Sequence, residues 1–311
     1  MGKVKTFLKL ISKPAKMRAI LMSKFARTKL SHIVKDKAYI KMQYRANTGH
    51  KLDLKNPVTY TDKINYIKLY DRNPTYISLV DKYEVKKYIS DTIGEQYVIN
   101  TLGVWDSVDD IDWDSLPNQF VIKCTHDSGS TIVCKDKANF DIEFAKNKLS
   151  KKMKYNLYCW AREWAYKDVK PRIMAEQYME DTKTAELRVY KFFCTNGEAK
   201  ALFIATERQK KGEEVKFDFF DMEFNHLPMK NGHPNASVPP ARPEKFDEMR
   251  ILAGKLSMGL PQVRVDFYEV DGQVYFGELT FYHHAGIVDF TPHEWNVKFG
   301  EFVDLSLIKN K

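Results

Sequence analysis

Two short alternating runs, Val263-Arg264-Val265-Asp266-Phe267 and Tyr275-Phe276-Gly277-Glu278-Leu279-Thr280, flank an Asp271-Gly272 dipeptide. A period of two puts Val263, Val265 and Phe267 on one side of a strand and Arg264 and Asp266 on the other. Asp-Gly is a turn signal between antiparallel strands. The pattern predicts a hairpin near the end of the chain, carrying acids where a sheet is normally apolar. Two carboxylates brought together across a hairpin repel each other unless a cation lies between them, so a magnesium site is the first chemistry to test. A two-residue loop would pair Asp266 with Gly277 and turn Glu278 to the far face. A loop of odd length, with a left-handed Gly272 as a bulge, would gather Asp266, Glu278 and Thr280 on one face. The odd loop is the expectation, and a surface hairpin with scattered charges is its plain alternative.

A chain of 311 residues can bury a large core and exceeds one typical domain. Its apolar (43%) and aromatic (13%) fractions are those of a folded chain and exclude intrinsic disorder. No apolar run is long enough to span a bilayer. Cys124, Cys134, Cys159 and Cys194 lack the paired spacing of a zinc site, which favours isolated thiols in a reducing compartment. No apolar core or small-residue cleavage site follows the basic N-terminus, so no secretory signal is expected.

The net charge of +9 is unevenly placed. Residues 1–37 hold eleven Lys or Arg and one acid, Asp36. That is +10 for the segment, which leaves −1 for the remainder. Phe7, Leu8, Ile11, Ala15, Ile20, Leu21, Phe25 and Leu30 are interleaved with these bases at loosely helical spacing, interrupted at Pro14. Such an arm either lies on an anionic membrane surface or packs its apolar stripe on the body with the lysines in water. No nucleic-acid module follows it, so nucleic acid is not an expected partner.

Helices are predicted from Thr61 to Leu69, capped by Thr59 or Thr61, and from Asp81 through Tyr88, ending before Gly94. Residues 143–167 and Pro243–Met258 are further helical regions, the second with Phe246, Met249, Ala253 and Leu256 on one face. Strands are expected at Phe120–Cys124, Thr131–Cys134, Arg172–Tyr178, Leu187–Phe193, Ala201–Ala205 and Phe217–Phe220, with Leu102–Trp105 a short strand or loop. Strands and helices mix without βαβ alternation, which argues for an α+β fold with antiparallel sheets.

Several polar residues interrupt these apolar strands. Lys123 precedes the loop His126-Asp127-Ser128-Gly129-Ser130, whose N–H groups could cap a phosphate that the lysine neutralises. The loop lacks the G-x-x-x-x-G-K-[ST] spacing of a Walker loop. Glu176 ends a strand, and the following Gln177 and Tyr178 could offer edge backbone groups to a purine. Lys191 lies inside an apolar strand and requires an anion there, from protein or phosphate. Arg208 and Arg264 could bind phosphate or a substrate carboxylate. Adjacent His283 and His284 point opposite ways on an extended chain, which disfavours one shared metal. No nucleophile elbow or H-E-x-x-H run is present.

The order of these elements resembles the ATP-grasp superfamily, most closely its TupA-like branch, over about residues 50–305. Lys51-Leu52-Asp53-Leu54-Lys55-Asn56-Pro57, Thr61-Asp62-Lys63-Ile64, Asp81-Lys82-Tyr83, Leu116-Pro117-Asn118-Gln119-Phe120-Val121-Ile122-Lys123, Cys134-Lys135-Asp136-Lys137, Lys191-Phe192-Phe193-Cys194, Arg264-Val265-Asp266 and Phe276-Gly277-Glu278-Leu279-Thr280 carry the likeness. The resemblance implies two α+β subdomains with mostly antiparallel sheets enclosing ATP, at about 119–185 (lid) and 186–311 (metal site). A mainly helical region at 38–118 and the arm at 1–37 would precede them. It further implies that Lys123, Lys191 and the loop residues His126, Ser128, Gly129 and Ser130 contact the nucleotide. Glu176, Gln177 and Tyr178 would form the adenine hinge, and Asp266, Glu278 and Thr280 would hold Mg2+. Arg264 would face the γ-phosphate or the acyl phosphate with Lys123 beside it, and Arg208 stays a catalytic candidate on its residue type, for phosphate or a substrate carboxylate. The chain departs from the family where His126-Asp127-Ser128-Gly129-Ser130 replaces a glycine-richer loop. It departs again where Val189-Tyr190-Lys191 lacks an acid, so that either Glu186 replaces it or that subsite is altered, and at Tyr282-His283-His284-Ala285-Gly286.

The implied activity is ATP-dependent ligation of a carboxylate to an amine through an acylphosphate. The resemblance points to a sugar acid or amino-acid substituent of a bacterial surface polysaccharide, in the cytoplasm or at the inner face of its membrane. The rival expectations are glycosyl or phosphoryl transfer in the same pathway and a non-catalytic nucleotide-binding partner.

Overall fold

The computed structural model describes residues 14–183, 187–207 and 214–308. Its helices in chain order are α1 (Pro14–Ala26), α2 (Lys29–Ile33), α3 (Asp36–Thr48), α4 (Tyr60–Tyr70), α5 (Thr75–Val80), α6 (Val85–Thr92), α7 (Ile142–Met153), α8 (Leu157–Ala161), α9 (Phe246–Leu256) and α10 (His293–Glu301). The strands are β1 (Thr101–Trp105), β2 (Phe120–Cys124), β3 (Ile132–Cys134), β4 (Ile173–Gln177), β5 (Val189–Thr195), β6 (Glu198–Thr206), β7 (Lys216–Phe220), β8 (His226–Leu227), β9 (Val263–Val270) and β10 (Gln273–Thr280). Two antiparallel sheets result. The small one runs β1-β4-β2-β3 and the large one β10-β9-β5-β6-β7-β8. The α+β expectation holds.

Most predicted elements form where the caps place them. Thr59 accepts the Asp62 N–H at the start of α4, satisfying a donor that has no partner within the helix. The long helical region over 143–167 is two helices and a short 3-10 turn: α7 ends at Met153, Asn156 caps the start of α8 by accepting the Tyr158 N–H, and Arg162 ends α8 in the left-handed conformation at φ 56°. The helix expected from Asp81 through Tyr88 forms as α6 and ends before Gly94, but it starts at Val85, since Asp81 lies at the end of α5. The Asp81 carboxylate caps the next turn, accepting from the N–H groups of Tyr83 and Glu84.

The small sheet turns Phe120, Ile122 and Cys124 inward against α7, leaving Val121 and Lys123 toward the cleft between the sheets. Two expectations change here. Strand β4 lies between β1 and β2 and is not an edge, so its backbone is occupied by ladders through Gln177. Only the chain beyond it has left the sheet. In addition, β1 pairs with β4, so this sheet takes a strand from before residue 119.

In the large sheet, α9 covers the face carrying Phe192 and Phe267. Part of the opposite face is closed by an aromatic cluster in which Phe193 meets Tyr60 of α4 and Phe299 of α10 edge-on, at 5.8 and 5.2 Å between centroids. The rest of that face forms the floor of the cleft.

The described part of the N-terminal arm packs on the body. Met22, Ala26 and Tyr39 form a buried cluster with Trp160 beside it. The Tyr39 hydroxyl and the Gln43 amide both donate to the Trp160 carbonyl, at 2.7 and 3.0 Å. No helix among the described residues is long and apolar enough to cross a membrane.

Candidate functional site

The β9–β10 hairpin sets the site's geometry, by a device other than the one expected. Asp271 and Gly272 both have positive φ, 50° and 81°, and form a two-residue loop with Val270 opposite Gln273. This conformation matches the twist of the flanking strands. The loop therefore has even length, and the odd-loop expectation is corrected. The extra residue is Gly277, where the ladder shifts between Phe276 and Glu278. A Cβ at Gly277 would lie 3.0 Å from the Asp266 carbonyl oxygen and 3.2 Å from the Tyr268 ring. Glycine is the residue that fits such a bulge. Beyond it Glu278 stands opposite Asp266, and Thr280 opposite Arg264. Lys191 of β5 stands opposite Asp266 on the other side. A row Glu278–Asp266–Lys191 thus crosses three strands on the cleft face.

Within this row charge is closely balanced. Lys191 pairs with Asp266 and reaches Glu278 at 3.9 Å. Arg264 donates to both Asp266 oxygens, at 2.7 and 2.8 Å, and to Glu278 at 2.9 Å. Its remaining arm donates to Nδ1 of His283 at 2.7 Å. Arginine only donates, so that nitrogen must accept. His283 is then protonated on Nε2, which donates to the Asn231 side-chain oxygen at 2.9 Å. Burial, with His284 and Arg264 nearby, keeps His283 well below its ordinary pKa, consistent with the neutral ring. Desolvation opposes ionisation of Glu278, but Lys191, Arg264 and Lys82 outweigh it and hold the carboxyl down at about 2.

Across the cleft, Lys123 points from β2 and pairs with Glu176, whose other oxygen is 2.7 Å from Lys86. Burial would raise the Glu176 pKa, but Lys123 and then Lys86 bring it below the ordinary range. The Glu176 side chain is thus committed to two lysines. The 126–130 loop is braced from within. Ser130 donates to Asp127 at 2.5 Å and accepts from the Cys124 N–H at 2.9 Å. Lys82 donates to the Asp127 carbonyl, and Lys152 to the Ser128 carbonyl at 2.8 Å. Gly129 turns the tip at φ 84°.

These residues line two adjoining cavities. One, of about 660 Å³, is bounded by Lys82, Lys123, Ser128, Gly129, Ser130, Lys191, Arg264, Asp266, Glu278 and Thr280, with an aromatic end at Trp160, Tyr166 and Tyr282. The other, of about 480 Å³, is walled by Ile99, Val121, Val133, Met179 and Leu187, with Glu176, Gln177 and Tyr178 at its rim. Lys123, Thr131 and Tyr268 line both. His126 lines neither; it is buried, 3.1 Å from the Tyr155 carbonyl. Glu186 and Arg208 lie outside the described residues.

Sequence reasoning missed Lys82, read as a helix start, and Glu163, hidden in a region read as continuous helix. The sequence marks neither, because both reach the cavity through turns. It also missed the bulge at Gly277, although a glycine inside a strand pattern is a bulge signal.

Among the described residues no group of three or more His, Cys, Asp or Glu could cage a metal. Two neighbouring carboxylates beside a cavity lined by lysines still fit magnesium, which is commonly held by one or two carboxylates and completed by phosphate oxygens and water.

A family profile described as "TupA-like ATPgrasp" matches residues 62–304. No curated protein matches the chain. Among solved structures, the ATP-grasp ligase PsnB complexed with a minimal precursor is similar at 8% identity, over 68% of this chain and 55% of that one, with a TM-score of 0.37. D-Alanine-D-alanine ligase from Helicobacter pylori is similar at 14% identity, over 81% and 68%, with a TM-score of 0.39. The Bacillus anthracis D-alanine–D-alanine ligase complexed with ATP is similar at 14%, over 66% and 55%, at 0.38. The chain thus spans little more than half the length of PsnB and of the Bacillus ligase.

Proposed function

The chain belongs to the TupA-like ATP-grasp family, and from that premise we propose that it is an ATP- and magnesium-dependent ligase joining a carboxylate to an amine. The observation that carries the reading is the acidic row on β9 and β10 facing Lys123 and the 126–130 loop, with an apolar cavity adjoining. The adenine would lie in the apolar cavity beside residues 176–178. Lys123 sits where the cavities meet, so phosphates would run past it toward the loop N–H groups, Lys82 and Lys191. Asp266, Glu278 and Thr280 would hold magnesium, which when bound would neutralise charge on the phosphates.

The chain's own groups account for the rest. A substrate carboxylate oxygen attacks the γ-phosphorus, and the bond to the β-phosphate oxygen breaks with ADP as leaving group. Arg264, Lys123 and Lys191 would offset the charge on the transferring group from fixed positions. An amine then attacks the acyl carbon and phosphate departs. The loop and the two sheets would exclude water from the acylphosphate. No covalent enzyme intermediate is needed.

We further infer that the carboxylate belongs to a sugar acid or amino-acid substituent of a bacterial surface polysaccharide, and that the protein works at the inner face of the membrane. Support for the location comes from α1 and α2. Leu21, Leu30 and Ile33 are 57, 64 and 80% exposed, among exposed Lys16, Arg18, Lys24, Arg27, Lys29, Lys35 and Lys37. Exposed apolar side chains interleaved with bases on these two helices fit an anionic lipid surface.

Mass spectrometry of products from ATP with a panel of uronic acids and amino acids tests the activity. ADP and phosphate should form only when an acid and an amine are both present, and the product should carry no phosphate. A phosphorylated product would instead mark a kinase, and consumption of a sugar nucleotide a glycosyltransferase.

A further inference from the structure

The residues that face nucleotide chemistry do not fill the larger cavity. Its other end is walled by Leu157, Trp160, Tyr166, Tyr282 and Ile287, and one charged side chain, Glu163, lies among them. Glu163 is 7% exposed. Its carboxylate makes no hydrogen bond or ion pair with another described residue; only its backbone carbonyl is used, accepting the Tyr166 N–H at 3.1 Å. The chain reversal at Arg162 explains this isolation. The Arg162 guanidinium turns outward to the Ser31 carbonyl at 2.7 Å and to Asp36 at 3.1 Å, leaving its neighbour to face the cavity. The buried lysine whose charge acts most on Glu163, Lys68, donates to the Asn65 side chain at 3.0 Å and the Ala285 carbonyl at 2.8 Å. Burial raises the Glu163 pKa, Lys68 partly offsets that, and Glu278 adds to it.

A buried carboxylate without a partner is costly and calls for a cation or a hydrogen-bond donor. Here the partner must come through the cavity, and the wall around it suits an apolar or ring-shaped body.

We propose that the aromatic end of this cavity is the acceptor subsite, where Glu163 binds the ammonium group of a primary amine carried on an apolar or ring-shaped body and takes its proton. The proposal rests on the ligase reading for the identity of the reaction. In the step, one proton passes from the ammonium nitrogen to a Glu163 oxygen. The freed lone pair forms the C–N bond. The acyl C–O bond breaks with its electrons on phosphate, and the second nitrogen proton leaves with the phosphate. Glu163 is the catalytic base, and the aromatic side chains position the acceptor.

Calorimetric titration of the full chain with 2-phenylethylamine and its neutral isostere 2-phenylethanol tests this without knowledge of the natural acid. The wild-type protein should bind the amine at least tenfold more tightly. E163Q should bind the two within about twofold. E163D, with the charge retracted by one methylene, should keep an intermediate preference and carries the test if E163Q does not fold. Absence of a preference in the wild-type protein, or its persistence at full strength in the variants, overturns the proposal. ADP titrated separately should bind wild type and E163Q alike. Failure of ADP to bind, with the amine preference intact and dependent on Glu163, would remove the ligase reading and leave the subsite standing.

Discussion

Glu278 lies directly opposite Asp266 across the last hairpin, although a two-residue loop followed by regular pairing would have set Gly277 there. One bulged residue moves a carboxylate from the far side of the sheet into the cleft. The charge of the pair is then met by Arg264 and Lys191 on the same face, which lets two acids share a site before any ligand arrives.

Replacing Gly277 tests that dependence. Gly277→Val brings a Cβ within 3.0 Å of backbone, so the hairpin must shift or lose the bulge. ATP turnover should fall by about 100-fold or more, while far-UV circular dichroism stays close to wild type. Full turnover in the variant would show that the bulge does not set the site.

Glu278→Gln should remove magnesium-dependent turnover by a similar factor of about 100–1,000 and lower the melting temperature less than Asp266→Asn does, because Glu278 is 43% exposed to the cavity and its ion pairs are screened there. Asp266→Asn should abolish turnover and also destabilise. It leaves Arg264 and Lys191 buried without their main anion, at a cost of about 3–5 kcal/mol. Thermal unfolding beside steady-state ADP release separates the two effects, and unchanged turnover in both variants would refute the assignment.

The Glu176 carboxylate should make the small sheet sensitive to acid. Its folded pKa is depressed by Lys123 and Lys86. The stabilisation it confers is therefore complete above the unfolded value of about 4.3 and is lost as pH falls through the lower folded value. Melting temperatures measured from pH 7 to pH 3 should drop more steeply in wild type than in Glu176→Gln. The variant should be less stable near neutrality because two lysines lose their partner.

Co-sedimentation with vesicles checks the N-terminal surface. Binding to phosphatidylserine-containing vesicles should weaken as salt rises, since screening shortens the reach of the bases. It should fall severalfold in Leu21→Asp/Ile33→Asp, whereas neutral phosphatidylcholine vesicles should bind poorly throughout. Equal binding by the double variant would show that the exposed apolar residues take no part.

Much of the protein was legible in its residues because the physics involved is local. Alternation along Phe120–Cys124 and Val263–Phe267 specifies strands and their buried faces, Thr59 with Asp62 specifies a helix start, and Asp271-Gly272 specifies a tight turn. The acidic hairpin and Lys191, a lysine buried among apolar neighbours, were recognisable as unusual before any partner was known. The identity of those partners was not. That Lys191 meets Asp266, that Glu176 is held between Lys86 and Lys123, and that β4 lies inside its sheet all depend on pairings between distant segments, which no short window encodes. Lys82 and Glu163 reach the cavity only because turns at Asp81 and Arg162 redirect the chain, and His126 leaves it because the loop folds inward on Asp127 and Ser130. Sequence alone determined that the strand charges Lys191, Asp266 and Glu278 would need partners, since burial within a strand follows from local pattern. Tertiary structure alone decided which partners they obtain, because charge pairing acts between whichever groups the fold brings within a few ångströms.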